Sequence, residues 1–91
     1  MMADRMILTI VTPGGVSFEG QVNYVNLPTP DGSLGILPGH APMLCAVAEG
    51  PIKLRSQERG EEVIPVGEGI AEVINNTVTV LLENHVAIEE E

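Results

Sequence analysis

The 91-residue chain sets four Lys and Arg against thirteen Asp and Glu, a net charge of −9, with 44% hydrophobic residues. That length is one small domain, expected to run over residues 1–91, and its charge disfavours nucleic acid and anionic lipid because Arg5, Lys53, Arg55 and Arg59 are scattered. Eleven valines and eight isoleucines exclude disorder, and one cysteine excludes an internal disulfide. Ten glycines and seven prolines recur at short intervals, leaving no window in which a helical apolar period survives beyond two turns. Residues 6–11 alternate as a first strand with two apolar faces, closed by a turn at Pro13, Gly14 and Gly15. Over 16–27, Val22 has one parity and Val25 and Leu27 the other, which predicts a β-bulge at Asn23 and Tyr24.

Thr29, Pro30, Asp31 and Gly32 have the composition of a tight turn, and residues 34–37 form a short strand stopped by Pro38 and Gly39. The fully apolar run 43–48 is expected to be a buried strand. Over 52–57 the alternation is clean, with Ile52 and Leu54 inward and Lys53, Arg55 and Gln57 outward. A charged hairpin tip at 58–62 leads to strands at 63–66, 70–74 and 77–82, with positive φ expected at the Asn75–Asn76 turn and an edge strand at 85–88. The expectation is an all-β sandwich or small barrel of eight to ten strands, with an acidic tail at 89–91. A domain this short buries only roughly 60 to 65% of its unfolded surface, so burial against a partner would add needed stability.

The longest uncharged stretch, residues 32–48, is broken by Pro38, Gly39 and Pro42 and falls short of the roughly 20 apolar residues of a membrane span. Residues 1–6 read as neither secretory nor transit peptide, so the chain is expected to act where it is made. Catalysis finds no support. Cys45 lies in an apolar run where a thiol is an inert core residue, Ser33 stands in no nucleophile elbow, and His40 and His85 are far apart. No metal site and no cofactor are expected. Gly67, Glu68 and Gly69 lack the third glycine, helix and lysine of a phosphate loop.

The informative segment is residues 31–42, which has three Gly and two Pro and no charge after Asp31. Pro38-Gly39 and Ala41-Pro42 hold His40 on stiff backbone. Together with residues 8–13, Gly20, Gly50-Pro51-Ile52, Gly67-x-Gly69-x-x-Glu72-Val73 and Asn76-x-Val78-Thr79-Val80-Leu81, the Gly35-x-x-Pro38-Gly39-His40-Ala41-Pro42 core resembles the ε subunit of F-type ATP synthases, the δ subunit in mitochondria. The resemblance covers residues 6 to about 83.

It implies a ten-stranded two-sheet β-sandwich at the foot of the central stalk, bound to the γ subunit and resting on the polar loops of the c-ring. The subunit is non-catalytic, couples proton translocation to ATP synthesis, and sits peripherally on the cytoplasmic side of a bacterial inner membrane or on a plastid thylakoid, with no direct lipid insertion. Carried over, Asp31, Gly32 and Ser33 face the c-ring, Thr12, His40 and Cys45 face γ, and Gly35, Pro38, Gly39 and Pro42 are structural. Ser33 stands where many relatives carry an acid, leaving Asp31 as the carboxylate of that turn. Longer relatives continue into a helical hairpin that inhibits hydrolysis or, in some, binds ATP. This sequence stops at Glu91, where the first of those helices would begin, so the hairpin is expected to be missing and neither property is assigned.

Two other classes compete. A lipoyl or biotinyl carrier needs a lysine at a hairpin tip, whereas Lys53 lies inside an alternating strand. A sugar-binding sandwich needs aromatic platforms, and the chain has no Trp, one Tyr and one Phe.

Overall fold

Two-residue alternation cut by Gly and Pro produces strands throughout the computed structural model, which describes residues 5–83. In chain order they are β1 (Met6–Thr12), β2 (Gly15–Val22), β3 (Tyr24–Thr29), β4 (Gly32–Ile36), β5 (Met43–Val47), β6 (Gly50–Ser56), β7 (Gly60–Val66), β8 (Gly69–Ile74) and β9 (Thr77–Leu82). They form a five-stranded sheet in the order β2-β1-β9-β8-β5 and a four-stranded sheet in the order β4-β3-β6-β7. The described residues thus contain nine strands, and the tenth expected at 85–88 lies outside them.

Neighbouring strands are antiparallel except β1 and β9, which run parallel with Ile7 beside Thr77 and Val11 beside Leu81. The two sheets enclose an aliphatic core. Met6, Leu8, Ile10, Val73, Val78 and Val80 of the larger sheet meet Val25, Leu27, Ile36, Ile52 and Leu54 of the smaller. Each such side chain contributes about 1.5–3 kcal/mol on full burial. The expected inward and outward faces of β6 hold: Ile52 and Leu54 are buried while Lys53 and Arg55 are exposed.

The parity change in residues 16–27 has a different cause from the expected bulge. β2 ends at Val22 and β3 begins at Tyr24 in the other sheet, so Asn23 is a corner at which the chain changes layers. The Asn23 N–H donates to the Arg55 carbonyl at 2.7 Å and pins that corner. Val22 and Val25 both point inward because they approach the core from opposite sides. A bulge does exist, but earlier: Ile10 pairs with Phe18 and Val11 with Val16, which makes Ser17 the extra residue.

The run 43–48 also departs from expectation. β5 is an edge strand; Met43, Cys45 and Val47 turn toward the core while Leu44 and Ala46 are exposed. A fully apolar strand is tolerated there because the outer face of this sheet is itself largely apolar.

Two hairpins share one local design. In Thr12-Pro13-Gly14-Gly15 the Thr12 hydroxyl donates to the Gly15 carbonyl at 3.1 Å and accepts from the Gly14 N–H at 3.2 Å. In Thr29-Pro30-Asp31-Gly32 the Thr29 hydroxyl donates to the Gly32 carbonyl at 3.1 Å and accepts from the Asp31 N–H at 3.2 Å. Proline presets φ for the turn, threonine locks it, and Gly15 and Gly32 take φ of 123° and 130°, which a side chain would strain.

Candidate docking site

The rigid segment flagged in the sequence carries the chain from β4, an edge of the smaller sheet, to β5, an edge of the larger. His40 N–H donates to the Leu37 carbonyl at 3.1 Å, closing a turn, and the imidazole Nδ1–H donates to the Ala41 carbonyl at 2.7 Å. The Gly39 N–H donates to Asn76 Oδ1 at 2.7 Å, tethering this turn to the β8–β9 turn. Gly35 lies under the Tyr24 ring, where an added Cβ would stand 3.3 Å from Cε1. His40 is therefore part of a crossover held by backbone and amide bonds, half-buried and internally hydrogen-bonded.

The three residues expected to face γ are not brought together. By strand register, the Thr12 end of β1 is level with the Val47 end of β5, whereas the Gly39–Asn76 bond puts His40 at the opposite end of that sheet. Cys45 pairs with Ala71 and packs against the core, and burial raises its thiol pKa. The turn holding Asp31, Gly32 and Ser33 is exposed. Ala48 N–H donates to the Pro28 carbonyl at 2.9 Å, which ties the stem of that hairpin to the Thr12 end. Both Thr-Pro hairpins therefore project from one end of the sandwich.

What the sequence reading missed is the outer face of the five-stranded sheet. Val16 lies beside Val11, Val11 beside Leu81, Leu81 beside Ile70 and Ile70 beside Ala46, an apolar row across all five strands. Val16 is 60% exposed, Ile70 47% and Leu81 46%; Leu44, next to the row on β5, is 70% exposed. The Ser17 bulge is what turns Val16 onto this face, since regular pairing would put Ser17 opposite Val11. A shallow recess of about 260 Å³ opens beside it between Gly69, Ile70, Leu81 and Leu82. The signal in the sequence was the double apolar parity of strands 6–11, 70–74 and 77–82.

The other sheet presents a polar outer face. There Arg55 stacks over Tyr24 with 5.1 Å to the ring centroid and pairs with Glu61 at 3.4 Å. At the edge between the sheets, Arg59 covers Phe18 of β2 at 5.4 Å and reaches Glu62 at 3.5 Å. Lys53 lies mid-strand in β6 opposite Asn26 and Val63, the wrong place for a carrier lysine. Among the described residues, no three His, Cys, Asp or Glu side chains converge to hold a metal, and no helix is long and apolar enough to cross a membrane.

Comparison with known proteins gives this geometry a context. Residues 5–88 match the family described as ATP synthase, Delta/Epsilon chain, beta-sandwich domain. The chain belongs to that family. It is 40% identical over 82 residues to the ATP synthase epsilon chain of Lawsonia intracellularis, covering 90% of this chain and 61% of that one. With the epsilon chain of an Exiguobacterium strain it is 40% identical over 76 residues, covering 84% of this chain and 56% of that one. The chain thus spans about three-fifths of the length of these relatives.

Among solved structures, a chain of the Euglena gracilis mitochondrial ATP synthase superposes with a TM-score of 0.82 at 19% identity, over 90% of this chain and 52% of that one. A chain of the Tetrahymena thermophila enzyme's central stalk and c-ring gives 0.73 at 19% identity, over 92% and 67%. At that identity the likeness shows the shared sandwich fold.

Proposed function

We propose that this domain is a non-catalytic rotor part of an F-type ATP synthase, docking the γ subunit to the c-ring so that ion-driven rotation reaches the catalytic sites. One observation carries the reading: the apolar row Val16, Val11, Leu81, Ile70 and Ala46 on the outer face of the five-stranded sheet. A contiguous apolar strip on a sheet of so small a domain is costly in water and favours permanent burial against a partner. Leu44 and Ala46 point from β5 toward γ, the strand's Cys45 backs them from the core side, and Thr12 and His40 mark the two ends of the docked sheet.

The end with the two Thr-Pro hairpins meets the c-ring. Asp31, Gly32 and Ser33 are its exposed tip, and the Thr29 hydroxyl holds that tip in a single shape suited to repeated contact with polar loops. The domain thereby reaches the membrane peripherally, on the cytoplasmic side, through the complex and without inserting into lipid. Mixing the chain with γ at micromolar concentration and following elution on gel filtration tests the reading. Co-elution that is lost in Leu81→Glu and Ile70→Asp supports it, and separate elution at every salt concentration overturns it.

A further inference from the structure

Docking would bury the outer face of the five-stranded sheet, so the side chains there that resist burial dictate what the partner must offer. Next to the apolar row, a second row crosses β2, β1, β9, β8 and β5 as Glu19, Thr9, Thr79, Glu72 and Leu44. Glu19 lies on the edge strand β2, but Glu72 is interior to the face. Leu44 and Thr79 flank it across the sheet, and Ile70 and Ile74 lie two residues away on its own strand, on the same face.

The Glu72 carboxylate makes no hydrogen bond or ion pair among the described residues. The cations of the chain lie elsewhere. Lys53 and Arg55 belong to the other sheet, Arg59 sits in the β6–β7 turn with Phe18 and Glu62, and Arg5 bonds Gln21 on the β2 edge of this face, with β1 and β9 between it and the strand of Glu72. An isolated carboxylate on an exposed strand is harmless in water. Under a docked apolar surface it loses its hydration, and a cation brought by the partner compensates that loss most fully while the carboxylate stays charged.

We propose that Glu72 is the specificity charge of this face, receiving one basic side chain of the γ subunit inside a largely apolar contact; the inference rests on γ being the partner. An arginine fits better than a lysine, because its guanidinium is more weakly hydrated, can meet both carboxylate oxygens at once and tolerates the apolar surroundings of Leu44, Ile70 and Ile74. The neighbouring Thr79 hydroxyl supplies a further acceptor next to that position. The carboxylate also discriminates: an apolar surface without a matching cation would strand Glu72 uncompensated and is rejected.

Calorimetric titration of the γ subunit into the wild-type chain, Glu72→Gln and Glu72→Arg tests this, with circular dichroism confirming that each variant keeps its fold. Glu72→Gln is expected to weaken γ binding at least tenfold, roughly the effect of removing one member of a buried ion pair, and Glu72→Arg more. A γ variant with one arginine or lysine changed to glutamate should recover binding to Glu72→Arg. Glu72→Gln binding γ within about twofold of the wild type, where the wild type binds tightly, overturns the role of Glu72 and leaves the docking reading standing. Failure of the wild-type chain to bind γ overturns both.

Discussion

Asn76 accepts the Gly39 N–H on its side-chain oxygen at 2.7 Å while its own backbone carbonyl accepts the Ile7 N–H at 3.0 Å. One residue of the β8–β9 turn thus ties the crossover segment and the first strand together. It does so with φ of 58°, a left-handed conformation that asparagine tolerates better than most residues.

Replacing Asn76 separates its two contributions. Asn76→Gly keeps the backbone shape and loses the side-chain bond, at about 1 kcal/mol. Asn76→Ala also strains the turn and is expected to cost about 2 kcal/mol. Urea unfolding of the two variants measures the difference, and equal losses would show that the backbone conformation carries no share.

Gly69 is expected to tolerate no side chain. Its ideal Cβ would collide with the Leu81 carbonyl oxygen and stand 2.9 Å from the Leu82 Cα, both backbone atoms of the paired strand β9. Neither can rotate away, so Gly69→Ala should cost about 3 kcal/mol, near the upper end of overpacking penalties. Thermal unfolding checks this, and a loss under about 1 kcal/mol would mean that β8 and β9 separate easily.

Cys45 should react slowly. Burial raises its thiol pKa, so at neutral pH the folded protein holds less thiolate than an unfolded chain does. Alkylation rates followed against pH should rise later in the folded state than in urea. The linkage has a definite sign. The folded state keeps the thiol proton more tightly, so this group subtracts stability only as pH rises through the ordinary thiol range and above. Cys45→Ala should flatten that alkaline decline.

The Asp31 turn is testable in the assembled enzyme. Asp31→Lys reverses the one charge of the exposed tip, and a bulky residue at Ser33 changes its shape; under the proposed docking to the c-ring, either should weaken the coupling of ATP hydrolysis to ion pumping. Because an exposed charge pair is worth at most about 1 kcal/mol, the expected decrease is a few-fold rather than total. Unchanged pumping in vesicles carrying the reassembled enzyme would overturn the proposed placement of this turn at the c-ring.

Local rules made much of the fold readable from residues near one another. The alternation around Ile52 and Leu54 gave β6, and the Asn75–Asn76 pair gave a turn with φ of 51° and 58°. What failed depended on distant partners. The parity change between Val22 and Val25 is equally compatible with a bulge or with a corner between sheets, and only the pairing of β3 with β4 and β6 in the other sheet decides it. The Ser17 bulge is invisible locally because its cue is the register against Ile10 and Val11. Repetition of Thr-Pro-x-Gly at 12–15 and 29–32 was a legible signal of paired turns, whereas the contact of Gly39 with Asn76, 37 residues on, has no local trace.

The side-by-side, same-direction pairing of β1 and β9 joins the first and last described strands in the middle of a sheet. During synthesis, therefore, Leu8 and Ile10 have no lateral neighbour on that side until Val78 and Val80 have left the ribosome. The larger layer cannot be completed from the front of the chain, and its assembly has to wait for the last described strand.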